Sequence, residues 1–218
     1  MKGCRGFSED EIARLAGWFE ARGRLRDRAL LFLGVNTGYR ISELLSLRRR
    51  DVLVDGRLVD EITMRRGARK GKRSGHALPL NAQAKRGLAP WLLELQRRGL
   101  DAPGSPLFAS RKGAGAITRW TAWYILHHTA RRLGMSGTIG THSMRKTFGR
   151  RGYEATGHDV AATQGLLGHA RMASTFSYLA GLREGDLRRI VMEMGETDNQ
   201  KRRPHARRKA TGDDGTRT

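Results

Sequence analysis

The sequence predicts an α+β fold, mostly helical, with one small antiparallel β-sheet. Two observations predict it. Apolar residues recur at helical spacing over most of the 218-residue chain. Only residues 52–80 change character, with β-type residues around an Asp-Gly turn signal. There is no internal repeat.

The elements follow in order. Ser8 to Glu11 reads Ser-x-x-Glu, a capping box, with Phe7 and Ile12 placed for a hydrophobic staple. Ile12, Leu15, Ala16 and Phe19 then mark a helix. The run ALLFLGV, Ala29 to Val35, predicts a buried helix that Asn36-Thr37-Gly38 breaks. Ile41, Leu44, Leu45 and Leu47 restart the helical pattern. VLVDGRLVDEITM, the basic turn ARKGKRSG and the short strand HALPL predict a sheet of two or three strands. From Asn81 the pattern is helical again, with Leu88, Trp91, Leu92 and Leu95 as its apolar face. Pro90 is expected to kink this helix or to open its second half. APGSP is a loop. Thr118 is the expected N-cap of a helix that Gly134 ends. Further helices are expected around His142–Tyr153, Asp159–Leu167, Ser174–Leu179 and Arg183–Met194. The tail from 196 to 218 is basic, lacks apolar residues and is expected to stay disordered.

Composition narrows the function. Lys plus Arg number 42 against 21 Asp plus Glu, a formal net charge of +21. Such an excess favours polyanions, and nucleic acid is the first candidate. A single cysteine, Cys4, excludes an internal disulfide framework and a multi-cysteine zinc site. The N-terminus MKGCRGFSEDE has no apolar signal core, and no run approaches the roughly 20 apolar residues of a membrane span. A cytoplasmic protein is the expectation. Seven histidines invite a metal reading, but HExxH is absent and His127 and His128, being adjacent, cannot share one helix face. No metal site is expected. Trp91, Trp120 and Trp123 are expected in the core rather than as stacking platforms for bases.

Four segments carry the chemistry: TGYRISELLSL, RKGKRSGHALPL, THSMRKTF and LLGHARMASTFSYL. Singly, each reads as ordinary surface charge, turn or core. In THSMRKTF, however, His142 and Arg145 lie three residues apart and share a helix face. Such a pair can hold a phosphate. In order and spacing the segments resemble the catalytic domain of the tyrosine recombinases, the phage integrase family. Arg40 lies in the Thr-Gly-x-Arg-x-Ser-Glu-Leu helix start, and a hairpin lysine follows. His142 and Arg145 form the His-x-x-Arg. His169 ends a Leu-Gly-His, and Tyr178 lies nine residues beyond it. The resemblance covers roughly residues 7–190.

The resemblance implies a site-specific DNA recombinase or integrase, with topoisomerase IB-like chemistry and a 3′-phosphotyrosyl intermediate. Tyr178 would be the nucleophile, weak while protonated at its reference pKa of about 10. Arg40 and Arg145 would meet the two non-bridging phosphate oxygens with forked donors. His142 and His169 would add hydrogen bonds, and His142 is a candidate acceptor for the tyrosine proton. The hairpin lysine, Lys70 or alternatively Lys72, would protonate the departing 5′ oxygen. Counting back from Pro79 lands on Gly71 between them, and Lys-Gly favours Lys70. Glu43 would support Arg40 from behind, although a plain i, i+3 ion pair explains it locally. No cofactor is required.

The implied partner is double-stranded DNA, with self-association into dimers or tetramers upon it. Leu182, Leu187, Ile190, Val191 and Met194 offer an apolar face for a neighbouring subunit. Residues 1–195 read as the catalytic domain, and the family's N-terminal core-binding domain is expected to be absent. An accessory DNA-binding partner would then supply the second side of the grip. The alternatives are a catalytically silent DNA-binding regulatory protein on the same fold and a basic RNA-binding protein. Every catalytic position carries the right residue type, which argues against the first. Charge alone, without the ordered motifs, supports the second.

Overall fold

The capping box forms. Ser8 Oγ accepts from the Glu11 amide at 3.2 Å, and Glu11 Oε2 accepts from the Ser8 amide at 2.9 Å. They open helix α1 (Glu9–Glu20). Phe7 and Ile12, on either side of the cap, are buried as a staple requires. The structure, a computed structural model, describes residues 3–64, 76–111 and 115–168, together with Thr175. These belong to the unit Met1–Leu179, and a second unit, Ala180–Thr218, lies outside the described residues. So do Lys70, Lys72, His169, Tyr178, the expected helices at Ser174–Leu179 and Arg183–Met194, and the tail.

Helix α2 (Leu25–Thr37) is the central element. Every residue from Ala29 to Thr37 is buried, and α1, α4 and α6 all pack on it. Asn36 and Thr37 end the helix instead of breaking it. Their side chains donate back to the carbonyls of Phe32 and Leu33 at 2.8 and 2.7 Å. The break falls at Gly38, whose φ of 60° is the left-handed C-cap that glycine adopts without strain. Helix α3 (Ile41–Ser46) follows at once.

Among the described residues the β region forms two ladders rather than one sheet. Strands β1 (Leu53–Val54) and β2 (Arg57–Leu58) pair across Asp55-Gly56. Both turn residues have positive φ, 48° and 73°, as a type I′ hairpin demands. Strand β3 (Glu61–Met64) pairs instead with β4 (His76–Pro79), from Glu61 opposite Pro79 to Met64 opposite His76. Val59 and Asp60 intervene between β2 and β3: the Val59 amide still donates to Val52, whereas Asp60 O accepts from Leu80. The chain changes partners within those two residues.

Asn81 Oδ1 accepts from the Ala84 amide at 2.9 Å and caps α4 (Ala82–Arg97). Pro90 does not interrupt it. Proline lacks the amide that would bond the carbonyl four residues back. That carbonyl, on Arg86, accepts instead from Arg28 Nη1 of α2 at 3.2 Å. Gly87 permits this closeness, since a Cβ there would lie 2.7 Å from Phe32 Cβ. Thr118 caps α5 (Arg119–Arg132), and Gly134, at φ 69°, follows its end. Helices α6 (Thr141–Ala155) and α7 (Val160–Leu167) complete the described chain.

One core assignment needs correction. Trp91 is buried and its Nε1 donates to Leu107 O at 2.6 Å. Trp120 and Trp123, however, are 66% and 38% exposed. The inward stripe of α5 is Ala122, Ile125, Leu126, Thr129 and Ala130. At 3.6 residues per turn, positions 120, 123 and 124 fall outside that stripe. Their rings stack along the helix, Trp120 on Tyr124 and Trp123 on His127.

Candidate active site

Arg40 is the N-cap of α3, immediately beyond the left-handed turn that ends α2. Its amide donates to Glu43 Oε2 at 2.7 Å, and its Nη1 donates to Glu43 Oε1 at 3.2 Å. The Glu43 side chain is 3% exposed, whereas that of Arg40 is 43% exposed. A buried carboxylate thus tethers a guanidinium that faces outward. The preceding residue, Tyr39, is buried and donates from Oη to Ile62 O at 2.7 Å. This bond ties β3 to the Arg40 turn. Nothing in the sequence pattern singled out Tyr39.

Arg145 is built differently. It lies on α6 and is 5% exposed. Nη1 donates to Gly38 O at 2.5 Å and Nη2 donates to Leu167 O at 2.7 Å. Gly38 stands two residues before Arg40, and Leu167 stands two residues before His169. One buried guanidinium therefore clasps the Arg40 turn to the end of α7. It also sits against the carbonyl end of α2, whose dipole would otherwise repel a phosphate.

Two glycines make this approach geometrically feasible. Gly34 and Gly38 lie one turn apart on α2, opposite Met144 and Phe148, one turn apart on α6. A Cβ on Gly34 would fall 2.4 Å from Met144 Sδ, and one on Gly38 would fall 2.2 Å from Phe148 Cδ1. The apolar residues that flank His142 and Arg145 in sequence are thus the knobs that seat α6. Gly38→Ala adds left-handed strain to a clash with a half-buried ring. Chemical denaturation should show it destabilised by about 2–4 kcal/mol. A stability within 0.5 kcal/mol of the parent, about the scatter of neutral surface changes, would refute this packing.

His142 opens onto the surface from the first turn of α6, on the same face as Arg145. Its pKa is lowered from the ordinary 6.5, first by partial desolvation, then by the cations of Arg145, Arg40 and Lys146. Those cations lie near enough to act on one imidazole, so the structure brings Arg40, Glu43, His142 and Arg145 together and adds Lys146. At neutral pH the ring is uncharged and can accept a proton. The sign for stability follows. The unfolded chain protonates this histidine near its ordinary pKa, the folded chain only at lower pH. Below 6.5 the unfolded state therefore binds more protons, and His142 costs stability as pH falls. His142→Gln should lose less stability than the parent between pH 7 and 5 in denaturation scans. An unchanged difference across that range would show that the ring is not depressed.

Among the described residues no group of His, Cys, Asp and Glu could hold a metal ion. The arrangement is cationic, with the Arg40 and Arg145 guanidiniums and Lys146 all acting to keep the His142 imidazole neutral.

The chain matches the model of the phage integrase family over residues 5–185. It belongs to that family. This phage integrase family chain is 33% identical over 173 residues to tyrosine recombinase XerC of Roseiflexus sp. (strain RS-1), covering 78% of this chain and 52% of that one. It is 34% identical over 158 residues to tyrosine recombinase XerD of Mycobacterium tuberculosis (strain ATCC 25618 / H37Rv), covering 71% and 47%. The chain thus spans about half the length of the curated relatives it matches. The XerA recombinase crystal structure superposes with a TM-score of 0.67 at 23% identity, over 87% of this chain and 66% of that one. XerH recombinase in a post-cleavage complex with palindromic difH superposes at 0.63 and 23%, over 82% and 50%. These superpositions establish the α+β, mostly helical catalytic-domain fold of the family.

Proposed function

We propose that this chain performs site-specific recombination, cleaving and rejoining double-stranded DNA through a 3′-phosphotyrosyl intermediate. The observation that carries the reading is the Arg145 clasp: one turn beyond His142 on α6, Arg145 donates to Gly38 O, two residues before Arg40, and to Leu167 O. In the proposed step Tyr178 Oη attacks phosphorus and the bond to the 5′ oxygen breaks. The phenolic proton passes to His142, and Lys70, or Lys72 in its place, protonates the departing oxygen. Arg40 and Arg145 neutralise the charge that develops on the non-bridging oxygens, each preorganised donor supplying a few kcal/mol. His169 adds a hydrogen bond, and Glu43 holds Arg40 in place. Attack by a second 5′ hydroxyl on the phosphotyrosine reverses the chemistry, so no metal or nucleotide cofactor is consumed.

Residues 1–195 are proposed as the catalytic domain, working on DNA as dimers or tetramers, with an accessory DNA-binding partner. No helix among the described residues is long and apolar enough to cross a membrane, in keeping with the proposed cytoplasmic site of action. The test is a DNA substrate nicked beside the cleavage point, so that the short fragment bearing the new 5′ hydroxyl diffuses away after attack. The parent chain should accumulate a protein–DNA adduct that survives SDS and maps to Tyr178. DNA binding with no adduct on any nicked substrate would instead support a silent DNA-binding regulator.

A further inference from the structure

A second basic site lies at the other end of α2. Arg22, Arg24, Arg26, Arg98 and Arg111 line a hollow of about 90 Å³, where the turn between α1 and α2 meets the end of α4. The site is built, not merely populated by loose side chains. Arg22 and Arg24 both lie over the Trp18 ring, at 4.3 and 5.4 Å, and Arg98 lies over Trp91 at 5.6 Å. Cation–π contacts of this kind restrict where each guanidinium can lie. Asp27 is the one carboxylate in the lining and is 2% exposed. Its oxygens accept from Arg24 Nε at 2.8 Å and from Arg26 Nε at 2.9 Å. Arg26 is further fixed by donating to Ala109 O at 3.1 Å. Glu94 accepts from Arg98 Nε at 2.7 Å. Those two acids leave the hollow strongly cationic.

We propose that this hollow binds a backbone phosphate of a second DNA segment, distinct from the one at Arg40 and Arg145. Three arguments converge. The volume and forked donors suit one tetrahedral oxyanion. A protein partner would expect an apolar centre to its docking face. Here the apolar lining is only Leu25 and the nearly buried Trp91. Finally, α2 has 13 residues and so is about 20 Å long at 1.5 Å per residue. Because Ala29 to Thr37 are buried, the helix crosses the core, and its two ends emerge apart. One phosphate cannot serve both ends, so a phosphate held in the hollow is not the one held at Arg40.

The test counts duplexes on the full chain. A labelled 12-base-pair duplex is titrated at fixed ionic strength near 150 mM, and stoichiometry and affinity are read by anisotropy and sedimentation. The parent should bind two duplexes. Arg22→Gln with Arg111→Gln, both exposed, should weaken the second event at least tenfold and leave the first within twofold. The log–log salt slope of the second event should fall by about 1, the loss of one phosphate contact. Arg22→Glu alone should act in the same direction, so misfolding of the double variant cannot account for the result. Unchanged second binding, or equal loss of both events, would overturn the proposal. So would displacement of the second duplex by no polyanion except an acidic peptide. The assay needs no strand cleavage, so a chain that forms no phosphotyrosyl adduct still reports on this site.

Discussion

Arg145→Ala should abolish measurable cleavage and also unfold more easily, whereas Arg40→Ala should lose cleavage alone. The two arginines share one proposed chemistry but differ in burial. Removing the Arg145 guanidinium leaves the carbonyls of Gly38 and Leu167 without their donor in the interior. Each orphaned carbonyl costs about 1–3 kcal/mol, so a total loss of about 2–5 kcal/mol is expected in urea unfolding. Cleavage should fall by about a thousandfold or more, since transition-state charge loses a preorganised donor and the clasp on the Arg40 turn opens. Arg40 is 43% exposed at its side chain and, among the described residues, pairs with Glu43. Its replacement should cost under about 1 kcal/mol of stability, yet about a hundred- to a thousandfold in single-turnover cleavage. If Arg145→Ala kept parental stability, the clasp would be refuted. If Arg40→Ala cleaved at the parental rate, Arg40 would be a surface ion pair and nothing more. Arg145→Lys is a useful third variant: one ammonium keeps the charge but not the planar fork.

Tyr178→Phe should bind nicked DNA within twofold of the parent affinity and yield no SDS-resistant adduct. The substitution removes one oxygen and leaves the ring, so a loss confined to the covalent step isolates a nucleophile from a structural tyrosine. The comparison is a gel of trapped adduct against an anisotropy titration on the same substrate. An adduct formed by this variant would move the nucleophile elsewhere. Parallel loss of binding and adduct would make Tyr178 a docking residue.

Local grammar was readable in the sequence. The Ser8–Glu11 box, the Asp55-Gly56 hairpin and the Thr118 cap depend on neighbours within a few residues, and each forms. The family resemblance located the Arg40, His142 and Arg145 positions for the same reason: ordered motifs survive in one dimension. What escaped the sequence depends on partners far along the chain. Pro90 lies within a continuous helix, where Arg28, on another helix, takes the spare carbonyl. Tyr39 finds Ile62 across the β region. The clasp made by Arg145 has backbone acceptors, which carry no side-chain signature at all. Trp120 and Trp123 were misplaced because size and apolarity suggested burial, while the small residues of α5 already filled the inward stripe. The split of one expected sheet into two ladders turned on a change of partner over Val59 and Asp60.

The first residues of the described chain run as a strap across α6. The Arg5 amide donates to Thr138 O, the Phe7 amide to Thr147 Oγ1, and Arg150 Nη2 to Phe7 O. Gly6 lies so close that a Cβ would be 3.2 Å from the Thr147 amide nitrogen. The leading end is consequently a handle on the very helix that bears His142 and Arg145. Any cargo joined there, whether an affinity tag or a neighbouring module, pulls on that helix directly, so the choice of fusion end is itself a mechanical intervention.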